Sequence, residues 1–159
     1  MYKGVYDFEK VYKSIMAWYE AHMFEFHETG FKNKTDNIGD ELELKLMGKK
    51  KVDAIAQYQI FVHLHNSDTD IIEVEDKNGS KKRMYKGRIR IDISAKLTVD
   101  YQKNFDKSKL TRKLGKFVFD KVLDQVVDFD YADDLWYLAH ALQSLIKDGL
   151  NMDTVGNNY

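Results

Sequence analysis

Apolar positions recur along this chain with two different periods, and the change between them divides it into parts. From residue 8 to about residue 28, Phe8, Val11, Tyr12, Ile15, Trp18, Tyr19, His22, Met23 and Phe26 fall in one arc at 100° per residue. Lys10, Lys13, Ser14, Ala17, Glu20 and Glu25 fill the opposite side, and Asp7 stands where an N-cap belongs. This spacing predicts an amphipathic helix. The same projection leaves Phe24 alone on the polar side.

The period then becomes two. Leu42, Leu44 and Leu46 alternate with Glu41, Glu43 and Lys45, and the Gly48-Lys49-Lys50-Lys51 stretch reads as a break. From Val52 to His65, Val52, Ala54, Ala56, Tyr58, Ile60, Val62 and Leu64 share a face. From Arg88 to Tyr101, Ile89, Ile91, Ile93, Ala95, Leu97, Val99 and Tyr101 do the same. Alternation of this kind gives a sheet one covered face and one wet face, which favours antiparallel pairing. Between the last two runs, Asn78-Gly79 suits a two-residue hairpin turn. That turn sets Asp76 opposite Lys81, Glu75 opposite Lys82 and Ile72 opposite Tyr85. The two long runs would each span roughly 46 Å at 3.3 Å per residue, so the sheet is expected to twist and curl, with a bulge at Gly87.

Helical spacing returns after residue 107. Leu110, Leu114, Phe117 and Val118 share one face up to about residue 128, the stripe rotating near Gly115 to Phe119, Val122, Leu123, Val126 and Val127. A last helix is predicted from about Tyr131 to Asp148, with Asp130 as cap and Gly149 as terminator. Its inward stripe is Tyr131, Leu135, Leu138, Leu142, Leu145 and Ile146. The fold class is therefore α+β: an N-terminal amphipathic helix, a curled antiparallel sheet of four strands covered on one face by helices, and two C-terminal helices. Tyr2–Tyr6 would add a short fifth strand. Residues 1–150 read as a single domain and residues 151–159 as a flexible tail.

Composition narrows the chemistry more than it proposes any. The 159 residues carry 25 Lys and Arg against 26 Asp and Glu, so overall charge selects no partner. Cysteine is absent, which removes disulfides, thiolate metal sites and a Cys nucleophile. No apolar run approaches the ~18 residues of a membrane helix, and the first ten residues do not read as a secretory signal. A cytoplasmic location is the expectation. No GxGxxG, GxxxxGK[ST] or GxSxG motif occurs, and no cofactor is implied.

Four sets of residues remain as candidates. Trp136, Tyr137 and His140 lie opposite the apolar stripe of the last helix, and with Phe24 they are the expected partner-binding rings, since Trp and Tyr serve as interface anchors. A second helical layer within the monomer would bury the same rings. Lys109, Arg112, Lys113 and Lys116 put a basic stripe at a helix N-terminus, where the dipole prefers anions, and so suggest an anion or an acidic partner. A solvated lysine-rich face accounts for them equally. Trp18, Tyr19, Tyr58 and Tyr101 would line a pocket between sheet and helices, or simply form core. His63 and His65 point to one face of a strand but lack the spacing of a zinc motif, so no metal site is assigned. The basic arm Lys81, Lys82, Arg83, Lys86, Arg88 and Arg90 faces acids across its hairpin, which argues against nucleic acid.

These readings favour a non-enzymatic module that binds a protein partner or a second copy of itself through its helical face. The alternative is a carrier of a small apolar ligand held between curled sheet and helices. A metal-dependent enzyme built on His63 and His65 ranks third.

Overall fold

The elements run β1 (Tyr2–Tyr6), α1 (Phe8–Ala21), β2 (Glu25–Asp36), β3 (Gly39–Lys51), β4 (Ala56–Glu75), β5 (Lys81–Val99) and α2 (Ala132–Gly149). They belong to a computed structural model that describes residues 1–36, 39–75, 81–99, 102 and 130–150. The expected helix over 107–128 with Lys109, Arg112, Lys113 and Lys116, the Asn78-Gly79 turn, Tyr101 and the tail over 151–159 lie outside these residues.

The five strands form one open sheet in the order β1-β5-β4-β3-β2, antiparallel throughout. The class is α+β. Alternation explains the sheet's two faces: Leu44, Leu46, Ile60, Val62, Leu64 and Ile89 are buried, while Lys45, Arg90 and Asp92 between them are exposed. The stretch from Gly48 to Lys51 is not a break. It continues β3, with Gly48 paired to Ile60, so that the ring of Tyr19 can lie directly on the strand backbone. The turn comes later, at Val52–Ile55, where the Asp53 carboxylate accepts from the N–H groups of Ile55 and Ala56 at 2.7 Å each.

Helix α1 begins at Asp7. Its side chain accepts the Lys10 N–H at 2.9 Å and meets the Lys82 ammonium of β5 at 2.5 Å. Burial alone would raise the Asp7 pKa, but Lys82 and the Lys10 amide together outweigh it and hold the carboxyl below its ordinary value. Val11, Ile15, Trp18 and Tyr19 are buried, and the Tyr19 hydroxyl donates to the Ile60 carbonyl at 3.1 Å.

The helix ends at Ala21, not near residue 28. Met23 adopts φ 59°, the left-handed conformation of a helix C′ residue. The Phe24 N–H then reaches the Tyr19 carbonyl at 2.8 Å and the Met23 N–H reaches Glu20 at 3.0 Å, the two bonds of a Schellman motif. Its usual hydrophobic contact is present as well, with the Phe24 and Tyr19 rings 5.8 Å apart. The chain turns there into β2, so Phe26 reaches the core from a strand, paired to Gly48.

The long hairpin also differs from expectation. Glu75 pairs with Lys81, Ile72 with Met84 and Ile71 with Tyr85, one residue out of the register an Asn78-Gly79 turn would set. Tyr85 anchors it, packing on Phe8 at 5.4 Å and Tyr6 at 6.1 Å. The bulge lies across from Gly87 rather than at it. Asp68 takes φ 51°, the β4–β5 register shifts between Ser67 and Asp70, and a Cβ at Gly87 would sit 2.7 Å from the Asp68 carbonyl oxygen. No helix among the described residues is long and apolar enough to cross a membrane.

Candidate functional site

Helix α2 turns Leu135, Leu142 and Ile146 inward, with Leu138 and Leu145 partly covered. At 100° per residue their stripe leaves Asp133, Trp136, Tyr137, His140 and Ser144 on the opposite side, with half-buried Lys147 at its edge. Trp136 is 55 % exposed and Tyr137 66 %. The Trp136 ring contacts the other two. Trp136 lies 3.8 Å from His140 and 5.1 Å, edge to face, from Tyr137, and His140 Nδ1 is 2.9 Å from the Trp136 carbonyl oxygen. Rings held this way lose little further freedom on binding, which is what makes an aromatic anchor effective.

The start of α2 differs from the sequence reading. Asp130 does not cap it; the N-cap position is Tyr131, in helical geometry and without a capping side-chain bond. The Tyr131 hydroxyl instead donates to Asp53 Oδ2 at 2.5 Å, tying the helix to the β3–β4 turn. That bond holds the Asp53 carboxyl below its ordinary pKa and raises the Tyr131 phenol. Asp133 and Asp134 in the first turn and Lys147 in the last complement the helix dipole.

Phe24 does not join this surface. It is 5 % exposed, stacked on Trp18 with centroids 5.8 Å apart, because the Schellman motif folds it back over the end of α1. The rings expected around a ligand pocket are also core: Trp18 is 8 % exposed, Tyr58 2 % and Tyr19 0 %. A cleft of about 170 Å³ does open between α2 and the sheet, but it is floored by Ile89, Ile91 and Ile93 of β5 and walled by Ile146, with Lys147 alongside.

His63 and His65 stand on the outer face with rings 6.4 Å apart. Each meets a carboxylate of β3: His65 Nε2 is hydrogen-bonded to Glu41 at 2.8 Å, and His63 Nε2 lies 2.9 Å from Glu43 at an angle poor for a hydrogen bond. Among the described residues no three His, Asp or Glu side chains are grouped to hold a metal ion. His22 closes α1, its Nδ1 2.9 Å from the Trp18 carbonyl oxygen and its ring stacked on the indole.

Buried polar groups are what the sequence reading passed over. Asn66 is 0 % exposed with neither amide atom paired, and the Tyr6 and Tyr58 hydroxyls are buried without a hydrogen-bond partner, although Tyr6 leans toward Thr69. Burial pushes the phenols of Tyr6 and Tyr58 up to about 12. The signal for Asn66 was present, since the inward alternation Ile60, Val62, Leu64 reaches it two residues on.

No family model matches the chain, and neither the curated proteins nor the solved structures contain a significant match to it.

Proposed function

We propose that this chain is a cytoplasmic, non-enzymatic interaction module, a curled sheet with helices over one face, that pairs with a second copy of itself through the outer face of α2. The exposure of the clustered Trp136, Tyr137 and His140 rings carries this reading. Large exposed aromatic clusters are uncommon on monomers and typical of interface centres. The charge order of the helix supports a two-fold partner. An antiparallel pairing of α2 helices crossing at His140 would set Asp133 opposite Lys147 and Trp136 opposite the small Ser144, so acidic and basic ends meet at both ends of the contact.

Light scattering across a concentration series tests it on the full chain. The expected result is a dimer that Trp136→Ala converts to monomer, with the far-ultraviolet spectrum and melting temperature unchanged. A wild-type chain that stays monomeric at about 100 μM, a concentration that already populates micromolar dimers, would refute self-association. A second reading, an apolar-ligand carrier, is favoured by the cleft over Ile89, Ile91 and Ile93. It predicts saturable enhancement of an apolar fluorophore that Ile91→Glu removes and Trp136→Ala leaves intact.

A further inference from the structure

Where β1 ends, the covered face of β5 runs short of cover. Tyr2 pairs with Ile89, so the next two inward residues of β5, Ile91 and Ile93, have no β1 residue paired beside them. Both remain half-buried at the margin of the core. Helix α2 passes next to them with Ile146 and, just beyond its end, Leu150, which are 4 % and 3 % exposed. The space left between strand and helix is the cleft of about 170 Å³. An apolar cavity of about 150 Å³ holds benzene, so this one accommodates a chain or ring of about six carbons.

The polar lining of the cleft has one sign of charge. Gln143 and Lys147, one turn apart on α2, both border it, and no Asp or Glu does so among the described residues. Lys147 is half-buried, and neither side chain has an ion-pair or hydrogen-bond partner among the described residues. The carbonyls at the end of α2, which would disfavour an anion, are partly occupied: the Leu150 N–H reaches those of Ile146 and Lys147 at 3.1 and 3.2 Å. An unpaired ammonium beside an apolar floor suits a ligand that carries both a tail and a negative head.

We infer that the cleft binds a small carboxylate with an apolar tail, the tail over Ile91 and Ile93 and the head group on Lys147. The carboxylate accepts from the Lys147 ammonium and from the Gln143 carboxamide, so one group satisfies both side chains. This assignment rests on the carrier reading of the cleft and adds the head group that reading leaves open. Lys147 also stands opposite Asp133 in the proposed pairing of α2 helices. Binding is therefore measured on the full chain carrying Trp136→Ala, where a second copy does not compete for the lysine.

Hexanoate, hexanol and hexylammonium share one tail and differ in the charge of the head. With the isoleucine methyl groups labelled for NMR, hexanoate is expected to shift the Ile91 and Ile93 signals saturably in the millimolar range. Hexanol should bind about fivefold more weakly, and hexylammonium more weakly still. Lys147→Met keeps an apolar stem and removes the charge, so hexanoate should fall to the affinity of hexanol, itself unchanged. Lys147→Glu should make hexylammonium the tightest of the three. If none of the three moves these signals, the carrier reading falls together with the proposal. If hexanol binds as tightly as hexanoate, or hexanoate keeps its advantage in Lys147→Met, the carrier reading stands and the carboxylate assignment is overturned.

Discussion

Replacing Gly48 by alanine tests whether α1 is seated on the sheet as described. In an ordinary strand the change should help, because glycine there costs about 0.5–1 kcal/mol relative to alanine. Here the new Cβ would lie 2.2 Å from Tyr19 Cε1 and 2.3 Å from Cδ1, against an ordinary contact of 3.4–4 Å. The ring would have to retreat by about 1.2 Å, the difference between 3.4 and 2.2. It has nowhere to go. Tyr19 is fully buried, its hydroxyl is held by the Ile60 carbonyl at 3.1 Å, and Phe24 and Phe26 flank it at 5.8 Å each. Overpacking costs about 1–3 kcal/mol and loss of the hydrogen bond about 0.5–1.5. Subtracting the backbone gain leaves a net loss of about 0.5–4 kcal/mol, centred near 2. For a chain of this size the central value is a drop of roughly 4–8 °C in Tm. Urea denaturation should show the midpoint falling with an unchanged slope. The double variant Gly48→Ala/Tyr19→Leu should lose less than the two single variants summed, since removing the ring removes the clash. A Gly48→Ala protein as stable as its parent would refute the seating of Tyr19 on this backbone.

Two further outcomes follow from the titrating groups. Asp7→Ala removes the cap of α1 and a partner of Lys82, and should cost about 1–2 kcal/mol in urea melts. Because the folded Asp7 pKa lies below its unfolded value, the stability it provides is present above the ordinary carboxylate range and is lost as pH falls through the folded pKa. Asp7→Asn should flatten that acid limb of the Tm–pH curve; an unaltered limb would count against the ion pair. The opposite sign holds for Tyr6 and Tyr58. With folded pKa values of about 12 against 10 unfolded, their stability is complete below pH 10 and declines between pH 10 and 12. Absorbance at 295 nm should resolve an early class of tyrosines and a late one, and a single transition near pH 10 would contradict the burial.

What could be read from the residues depended on whether local pattern and tertiary structure agreed. The leucines at 42, 44 and 46 and the isoleucines at 89, 91 and 93 state a period of two without ambiguity, and the antiparallel sheet follows from them. The outward set Trp136, Tyr137 and His140 was equally legible, because a helix projects at a fixed angle per residue. The end of α1 was not. Helices usually mark a left-handed C′ residue with glycine, and Met23 carries no such mark, so the apolar arc ran on through Phe26. Strand β2 was hidden for a related reason. It pairs on one side only, and its residues FHETGFKNKTD have too few apolar positions to show alternation. The hairpin register departs from the reading already at Glu75–Lys81, on the turn side of Asp68, and Asp68 in the left-handed region then shifts the pairing by one more between Ser67 and Asp70, which nothing in the strand's alternation announces. Phe24 was misplaced as a direct result of the helix being drawn too long.

The pairing of β1 with β5 sets a timetable for the chain. Tyr2–Tyr6 lies against Tyr85–Ile89, so the earliest of the described strands to be synthesised waits for the latest of them. At roughly 5–20 residues per second, the intervening stretch of about 80 residues takes about 4–16 s to emerge. Throughout that interval Val11, Ile15 and Trp18 of α1 have no completed sheet to cover them, whereas β4 and β5 can join as soon as both exist. Contacts so distant in sequence also slow folding once the chain is free. Nascent chains stalled before residue 85 should therefore hold a helix with its apolar face bare, and that short-lived species is the one from which aggregation would begin.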